Sequence, residues 1–389
     1  MRILHTSDWH IGRTFHGHST LAALRGVLET LVSQVRDNDV DVVIVAGDVF
    51  DSATPAAECY TLLTDILRAL AETGARVVVT SGNHDSAARL GFQAGLLRDG
   101  IHVVTDPLAV GVPITMTDAD GPVHIYGIPY LEPARVRHLW EGVELRTQAQ
   151  TLAHAMGLVR DDLARRGGRS VAIAHCFAAG IEATPGVERE IRQGDLDVVP
   201  LAVFDGPDYV ALGHIHGRQR VSERVRYAGA PLHYSFGEKD RLRGSWIVDL
   251  GPEGLGAVAW LDLPVPRRLE VLRAPLDELL THERYAGAED AWVSVEYVDT
   301  LPQRDVMRRL QHRFPFCASV VHSPAHTRPD DARTYVDRVR AARSDRELVD
   351  AFLTHVREGE GATEREQELI ADRIADDRPI EKVLAEAQG

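Results

Sequence analysis

Five short apolar runs in this chain each end in a residue able to bind a cation. They read RILHTSDWH (2–10), VDVVIVAGD (40–48), ARVVVTSGNHD (75–85), SVAIAHC (170–176) and DYVALGHIH (208–216). Their length and β-branched content predict strands buried on both faces. Helical patterns over 20–36, 55–72 and 86–97 separate the early runs, so the pattern is strand, helix, strand. That alternation predicts a layered α/β domain with sheet at its centre. Ligands of open α/β sheets gather beyond the carboxyl ends of the strands. Asp8, His10, Asp48, Asn83, His175, His214 and His216 are therefore expected along one edge of one sheet. Asp8 and His10, like His214 and His216, are two residues apart and share a face of an extended segment. A lone histidine is ordinarily a satisfied core or surface residue, and random polar caps favour Ser, Thr and Gly. A set of seven metal-competent side chains is neither.

Seven such ligands exceed what one zinc ion takes and suit two ions that share a bridge. Two cations about 3.5–4 Å apart need a carboxylate between them, and Asp48 is central in chain order. Imidazole, carboxylate and amide donors without thiolate favour Mn²⁺, Fe or Zn²⁺, with Mn²⁺ first. The cysteines, Cys59, Cys176 and Cys317, form no C-x-x-C pair, which excludes a disulfide framework and fits a reducing cytosol. With no apolar stretch of about 18 residues and no h-region, the expectation is a soluble intracellular protein that neither spans a membrane nor is exported.

A chain of 389 residues exceeds one hydrophobic core. Segments 225–238 and 244–263 alternate like antiparallel strands, with a hairpin turn at 251–254, and two prolines then set a boundary near 265. Strand patterns at 268–273, 291–298 and 317–322, with a helical pattern around 304–315, predict a small α+β module over 265–327. A Pro- and Asp-rich connector over 328–343 leads to a helical segment, 344–389. There Ser344 with Glu347 and Thr363 with Glu366 read as capping boxes. Leu348, Val349, Phe352, Leu353 and Val356 make an apolar stripe at helical spacing, fit either for a partner's groove or for packing on the module itself. Net charge is −15, which weighs against nucleic acid. Residues 345–389 supply −7 of it, with 13 acidic against 6 basic residues, whereas 267–340 is balanced at 12 of each. Arg304, Arg308, Arg309 and Arg313 on the helical pattern can meet phosphates or form a solvated face. Arg218 and Arg220, just past the second histidine pair, can reach substrate or merely edge the site.

In order, SDWH, AGDVFD, SGNHD, AHC and LGHIH resemble the five motifs of the calcineurin-like metallophosphoesterases. GDVFDSATP, GNHDSAARL, YGIPY, LGHIHGRQ and YAGAPLHYSFGEKD are similar, more narrowly, to the bacterial SbcD family of DNA nucleases, relatives of the Mre-type nucleases. The resemblance implies a metallophosphoesterase α/β sandwich over 1–264, a small α+β capping domain that guides DNA, and C-terminal helices that dock on the coiled coil of an SbcC ATPase. It implies one metal on Asp8, His10, Asp48 and His216, and another on Asp48, Asn83, His175 and His214. It gives His84 the departing oxygen and has Asp85 orient His84 or His10. The eukaryotic relatives carry a second catalytic histidine where this chain has Asp51, so Asp51 is either catalytic or a positioning group. The implied activity is Mn²⁺-dependent 3′–5′ exonuclease, single-strand endonuclease and hairpin opening in DNA repair, recombination and replication. The implied setting is the cytoplasm, at the nucleoid, as a homodimer within a heterotetramer, joined through a segment within 54–98. The same five motifs also serve stand-alone phosphatases and nucleotide phosphodiesterases, and an inactive repair scaffold is a third reading.

Overall fold

The computed structural model describes residues 1–92, 94–97, 100–179, 198–324, 335–357 and 360–376, and the chain divides into two units, Met1–Leu269 and Glu270–Gly389. The principal elements of the first unit are β1 (Arg2–Thr6), α1 (Leu21–Asp37), β2 (Val42–Ala46), α2 (Ala57–Glu72), β3 (Arg76–Thr80), β4 (Ile101–Val104), β5 (Ile114–Asp118) and β6 (Gly121–Gly127). They continue as α3 (Gln148–Arg166), β7 (Arg169–His175), β8 (Tyr209–Gly213), β9 (Gln219–Arg220), β10 (Val225–Tyr227), β11 (Gly244–Gly251) and β12 (Gly254–Asp262). Two six-stranded sheets result, in the orders β12-β11-β1-β2-β3-β4 and β9-β10-β8-β7-β6-β5. Strands β1 to β4 run parallel, as do β6, β7, β8 and β10. The single central sheet expected from the sequence is thus corrected to two.

Period-two alternation explains how continuous apolar runs serve two cores. Ile3, Val42, Ile44 and Val78 point between the sheets, against Val123, Ile125, Val171, Ile173 and Ala211. Their neighbours Leu4, Val43, Val45, Val77 and Val79 point outward onto Leu24, Leu28 and Leu31 of α1 and Leu62, Ile66 and Leu70 of α2. On the other side Tyr126, Ala172, Ala174, Val210 and Leu212 cover Leu152, Met156 and Val159 of α3. A strand buried on both faces has no polar side to show, which is why these runs read as continuous.

Three local departures have local causes. The helix expected over 86–97 shortens to Ala87–Leu90 and a 3₁₀ turn at Ala94–Leu96, because Gly91 and Gly95 favour neither extension; Gln93 lies outside the described residues. Of the 225–238 pattern only β10 is strand, ended by Gly229 at φ +81° and then Pro231; it pairs antiparallel with β9 and parallel with β8. Helix α3 had no counterpart among the helical patterns read from the sequence; Thr147 and Gln150 close a capping box at its start, and Ala and Gly157 dilute its apolar stripe. The hairpin at Gly251 and Gly254 forms as expected.

The second unit holds β13 (Leu269–Ala274), α4 (Leu276–Thr281), β14 (Trp292–Tyr297), α5 (Val306–Arg313) and β15 (Cys317–His322), in a three-stranded sheet of order β13-β14-β15. Leu279, Val293, Val295, Leu310 and Phe314 form its core. Next come α6 (Tyr335–Ala341), α7 (Asp345–Val356) and α8 (Glu364–Asp376). The helix α6 occupies part of the span read as connector; 325–334 and 377–389 lie outside the described residues. Ser344 accepts from the Glu347 amide at 3.2 Å, and Thr363 and Glu366 cap each other. No described helix is long and apolar enough to cross a membrane.

Candidate metal centre

The ligand-bearing loops follow β1, β2 and β3 of one sheet and β7 and β8 of the other, so the site lies where two sheets meet rather than along the edge of one. Asp8 N donates to Gly47 O (3.1 Å), His10 N to Asp48 O (3.0 Å) and Ile11 N to Val49 O (2.9 Å), which zips the first two loops together. Across the sandwich His175 Nδ1 donates to Ala46 O at 3.0 Å. Glycine permits the approach: a Cβ on Gly213 would lie 1.8 Å from Ala46 O, and one on Gly82 would lie 2.2 Å from Asp48 Oδ1. Asp8, His10, Asp48 and His214 all have positive φ (53°, 44°, 48° and 104°). Such backbone strain costs roughly 1–3 kcal/mol per residue and gathers at functional sites.

Three clusters converge, each with its donor atoms within 4.8 Å of one another: Asp8, His10 and His216; His10, Asp48 and His84; Asp48, His175 and His214. Asp48 Oδ2 lies 3.6 Å from His10 Nε2 and 3.3 Å from His175 Nε2. Asn83 Oδ1 is 3.0 Å from both His175 Nε2 and His214 Nδ1. The Nε2 atoms of His10 and His216 are 3.0 Å apart. Asp8, His10, Asp48, His175 and His216 form a buried floor, with His84 and His214 half-buried and Asn83 exposed at the rim.

This donor set fits divalent cations. His10 Nδ1 faces Asp51 at 3.2 Å and His216 Nδ1 faces Glu238 at 3.5 Å, while His175 Nδ1 is held by Ala46 O. An acceptor on Nδ1 leaves Nε2 as the ligating nitrogen. Burial pulls the His10 imidazole down to about 4 and that of His214 to about 3, so both are neutral at pH 7. Burial works against charge on His175 too, but Asp48 outweighs it and lifts that imidazole to about 9. Burial likewise opposes ionisation of Asp48, yet His175 and His10 hold its carboxyl well below the usual range.

Two candidate residues make contacts that the sequence did not specify. The Asp85 carboxylate accepts from main-chain amides, those of Gly82 (2.8 Å), Phe50 (2.9 Å) and Val49 (3.1 Å), tying the β2 loop to the β3 loop. The Asp51 carboxylate engages Arg13 (3.0 Å) and His10, and its carbonyl accepts from His84 Nδ1 at 2.9 Å. Arg218 lies with Cζ 4.9 and 4.8 Å from the ring centres of Trp246 and Trp260, and exposed Arg220 pairs with Glu223. In the second unit Arg304 precedes α5 instead of lying on it, because Asp305 in a left-handed conformation sets the helix start. Arg308 is exposed and Arg309 half-buried. Arg313 turns inward to Glu289 and the Leu279 carbonyl, both at 3.0 Å, so its fork is already engaged. Sequence reasoning missed Glu238 and Arg243, buried behind His216; among the other charges of 238–243 nothing marks them out. Burial alone would raise the Glu238 carboxyl, but His216 and Arg243 outweigh it.

Two facing sheets with paired carboxylates and imidazoles at their strand ends define a calcineurin-like phosphoesterase, and the model of that family, calcineurin-like phosphoesterase, matches residues 1–218. A second model, type 5 capsule protein repressor C-terminal domain, matches residues 265–357. The chain is 35% identical to the SbcD subunit of the SbcCD nuclease from Rhodobacter capsulatus, over 72% of this chain and 74% of that one. It is 31% identical to the corresponding SbcCD nuclease subunit from Escherichia coli K12, over 80% and 81%. The chain belongs to the SbcD nuclease family, and it is a metal-dependent phosphodiester hydrolase.

Proposed function

We propose that this chain hydrolyses DNA at a centre of two divalent cations, Mn²⁺ in the first instance, as the nuclease subunit of a complex with an SbcC-type ATPase. One ion takes Asp8, His10, Asp48 and His216; the other takes Asp48, Asn83, His175 and His214. The observation that carries this reading is the place of Asp48, whose Oδ2 lies within 3.6 Å of Nε2 on histidines from both sheets. Bound there, the ions supply Lewis acidity toward water and toward the phosphodiester.

The protein's part is proton handling and orientation. His84 donates Nδ1–H to Asp51 O, which presents Nε2 at the rim; as the doubly protonated imidazolium it gives the Nε2 proton to the departing 3′ oxygen and is left neutral. Its amide donates to Asp48 Oδ1 at 2.9 Å, which ties the main chain of the proton donor to the bridging carboxylate. Asp51, through His10 and Arg13, orients a ligand and takes no proton. Exposed Arg304 and Arg308, with Arg309, meet phosphates, as does Arg220 beside the centre. Leu348, Phe352 and Val356, 39%, 51% and 56% exposed, line one face of α7 and suit a partner's apolar groove. Phe92 and Leu96, 73% and 82% exposed, lie in the segment proposed to join a second copy; Arg98, at the end of that segment, lies outside the described residues.

The test is cleavage of blunt, hairpin and single-stranded DNA with Mn²⁺, with and without the ATPase, by the wild type, Asp48→Ala and His84→Gln. Expected are loss of both ions and of cleavage in Asp48→Ala. His84→Gln is expected to keep both ions with cleavage about 10²–10⁴-fold slower. Full cleavage by Asp48→Ala would falsify the bridging assignment. Rapid turnover of free nucleotides with DNA untouched would instead identify a stand-alone phosphodiesterase.

A further inference from the structure

Behind the centre, Glu238 and Arg243 form an ion pair whose side chains are 0% and 1% exposed, with Arg243 Nη2 3.0 Å from Glu238 Oε2. A pair so deeply buried is a poor source of stability, because desolvating both charges offsets their attraction. Its contacts lead to His216. Arg243 Nη1 donates to the carbonyls of His216 (2.6 Å) and Ala230 (3.2 Å), and Tyr234 N donates to Glu238 Oε2 at 3.2 Å. The second carboxylate oxygen, Oε1, faces His216 Nδ1 at 3.5 Å, and neither of these two buried atoms has a hydrogen-bond partner, so each is the other's nearest complement. Asp51 at His10 and Ala46 O at His175 stand in the same relation to their imidazoles.

We infer that Glu238 is a positioning residue for His216. Its carboxylate keeps the proton on Nδ1, so that Nε2 carries the lone pair turned toward His10 and Asp8. Arg243 holds the carboxylate in place and clamps the main chain of His216 in the same fork. The inference rests on the reading of His216 as a metal ligand.

The full chain is titrated with Mn²⁺ by calorimetry as wild type, Glu238→Gln, the double variant Glu238→Leu/Arg243→Met, and His216→Gln. The double variant replaces the pair by apolar groups, a change that buried pairs commonly tolerate. It is expected to fold and to bind one of two ions about 10–100-fold more weakly, the loss typical of removing a ligand's outer partner. Glu238→Gln, whose amide oxygen still accepts from Nδ1, is expected to lose less. A folded double variant with wild-type affinity at both sites overturns the inference. If His216→Gln keeps both sites at wild-type affinity, the ligand reading itself fails, and the inference with it. A second measurement does not depend on the Glu238 or Arg243 variants folding: ¹⁵N-histidine spectra of Zn²⁺-loaded wild type, with His216 assigned by comparison with His216→Gln. The proton is expected on Nδ1 of His216, and a proton on Nε2 overturns the inference.

Discussion

At the scale of single residues, the centre depends on side chains that never touch substrate. Gly82 leaves room for the Asp48 carboxylate, since a Cβ there would sit 2.2 Å from Oδ1. Gly82→Ala is accordingly expected to lose bound Mn²⁺, read by calorimetry, while far-ultraviolet circular dichroism stays that of the wild type. Asp85 offers acceptors to three amides from two loops. In Asp85→Asn the amide nitrogen faces an N–H donor, and the charge that strengthened the bonds is gone. Such bonds contribute about 1.5–3 kcal/mol each, so stability is expected to fall by at least about 1.5 kcal/mol in urea denaturation. Unchanged stability would mean that the loops hold together without it.

At the scale of elements, helix α5 carries arginines of two kinds. Arg313 is bonded to Glu289 and to the Leu279 carbonyl of α4, whereas Arg308 reaches only Asp305, at 3.5 Å, from an exposed position. Arg313→Ala is therefore expected to lower the melting temperature, and Arg308→Ala to leave it unchanged. For DNA binding the order reverses. Arg308→Ala should weaken binding uniformly across sequences and reduce the slope of log affinity against log salt by about 1. Equal salt slopes for Arg308→Ala and the wild type would remove α5 from the DNA-binding surface.

At the scale of the whole molecule, exposed apolar side chains in each unit mark candidate contacts with other chains. Phe352→Asp is expected to abolish co-purification with the ATPase subunit while cleavage of short single strands by the isolated chain persists. Leu96→Asp is expected to halve the mass of the isolated chain in light scattering. A monomeric wild type under the same conditions would rule out the segment containing Phe92 and Leu96 as a self-association surface.

The sequence by itself determined which residues are candidate ligands. Metal ligation demands particular atoms, so Asp8, His10, Asp48, Asn83, His175, His214 and His216 stand out at the ends of apolar runs whose period places them. It also determined the strand at Cys317–His322 and the Ser344 and Thr363 helix starts, because alternation and capping act over a few residues. Tertiary structure decided what depends on distant partners. A strand buried on both faces looks the same in one sheet as in two, so the division of the five runs between facing sheets emerged only from their pairing. The contacts of Asp51 and Asp85 involve atoms brought near them from loops well separated along the chain. The pairing of Glu238 with Arg243 was not legible, since a buried ion pair is recognised by its surroundings, here Tyr234, Ala230 and the main chain of His216.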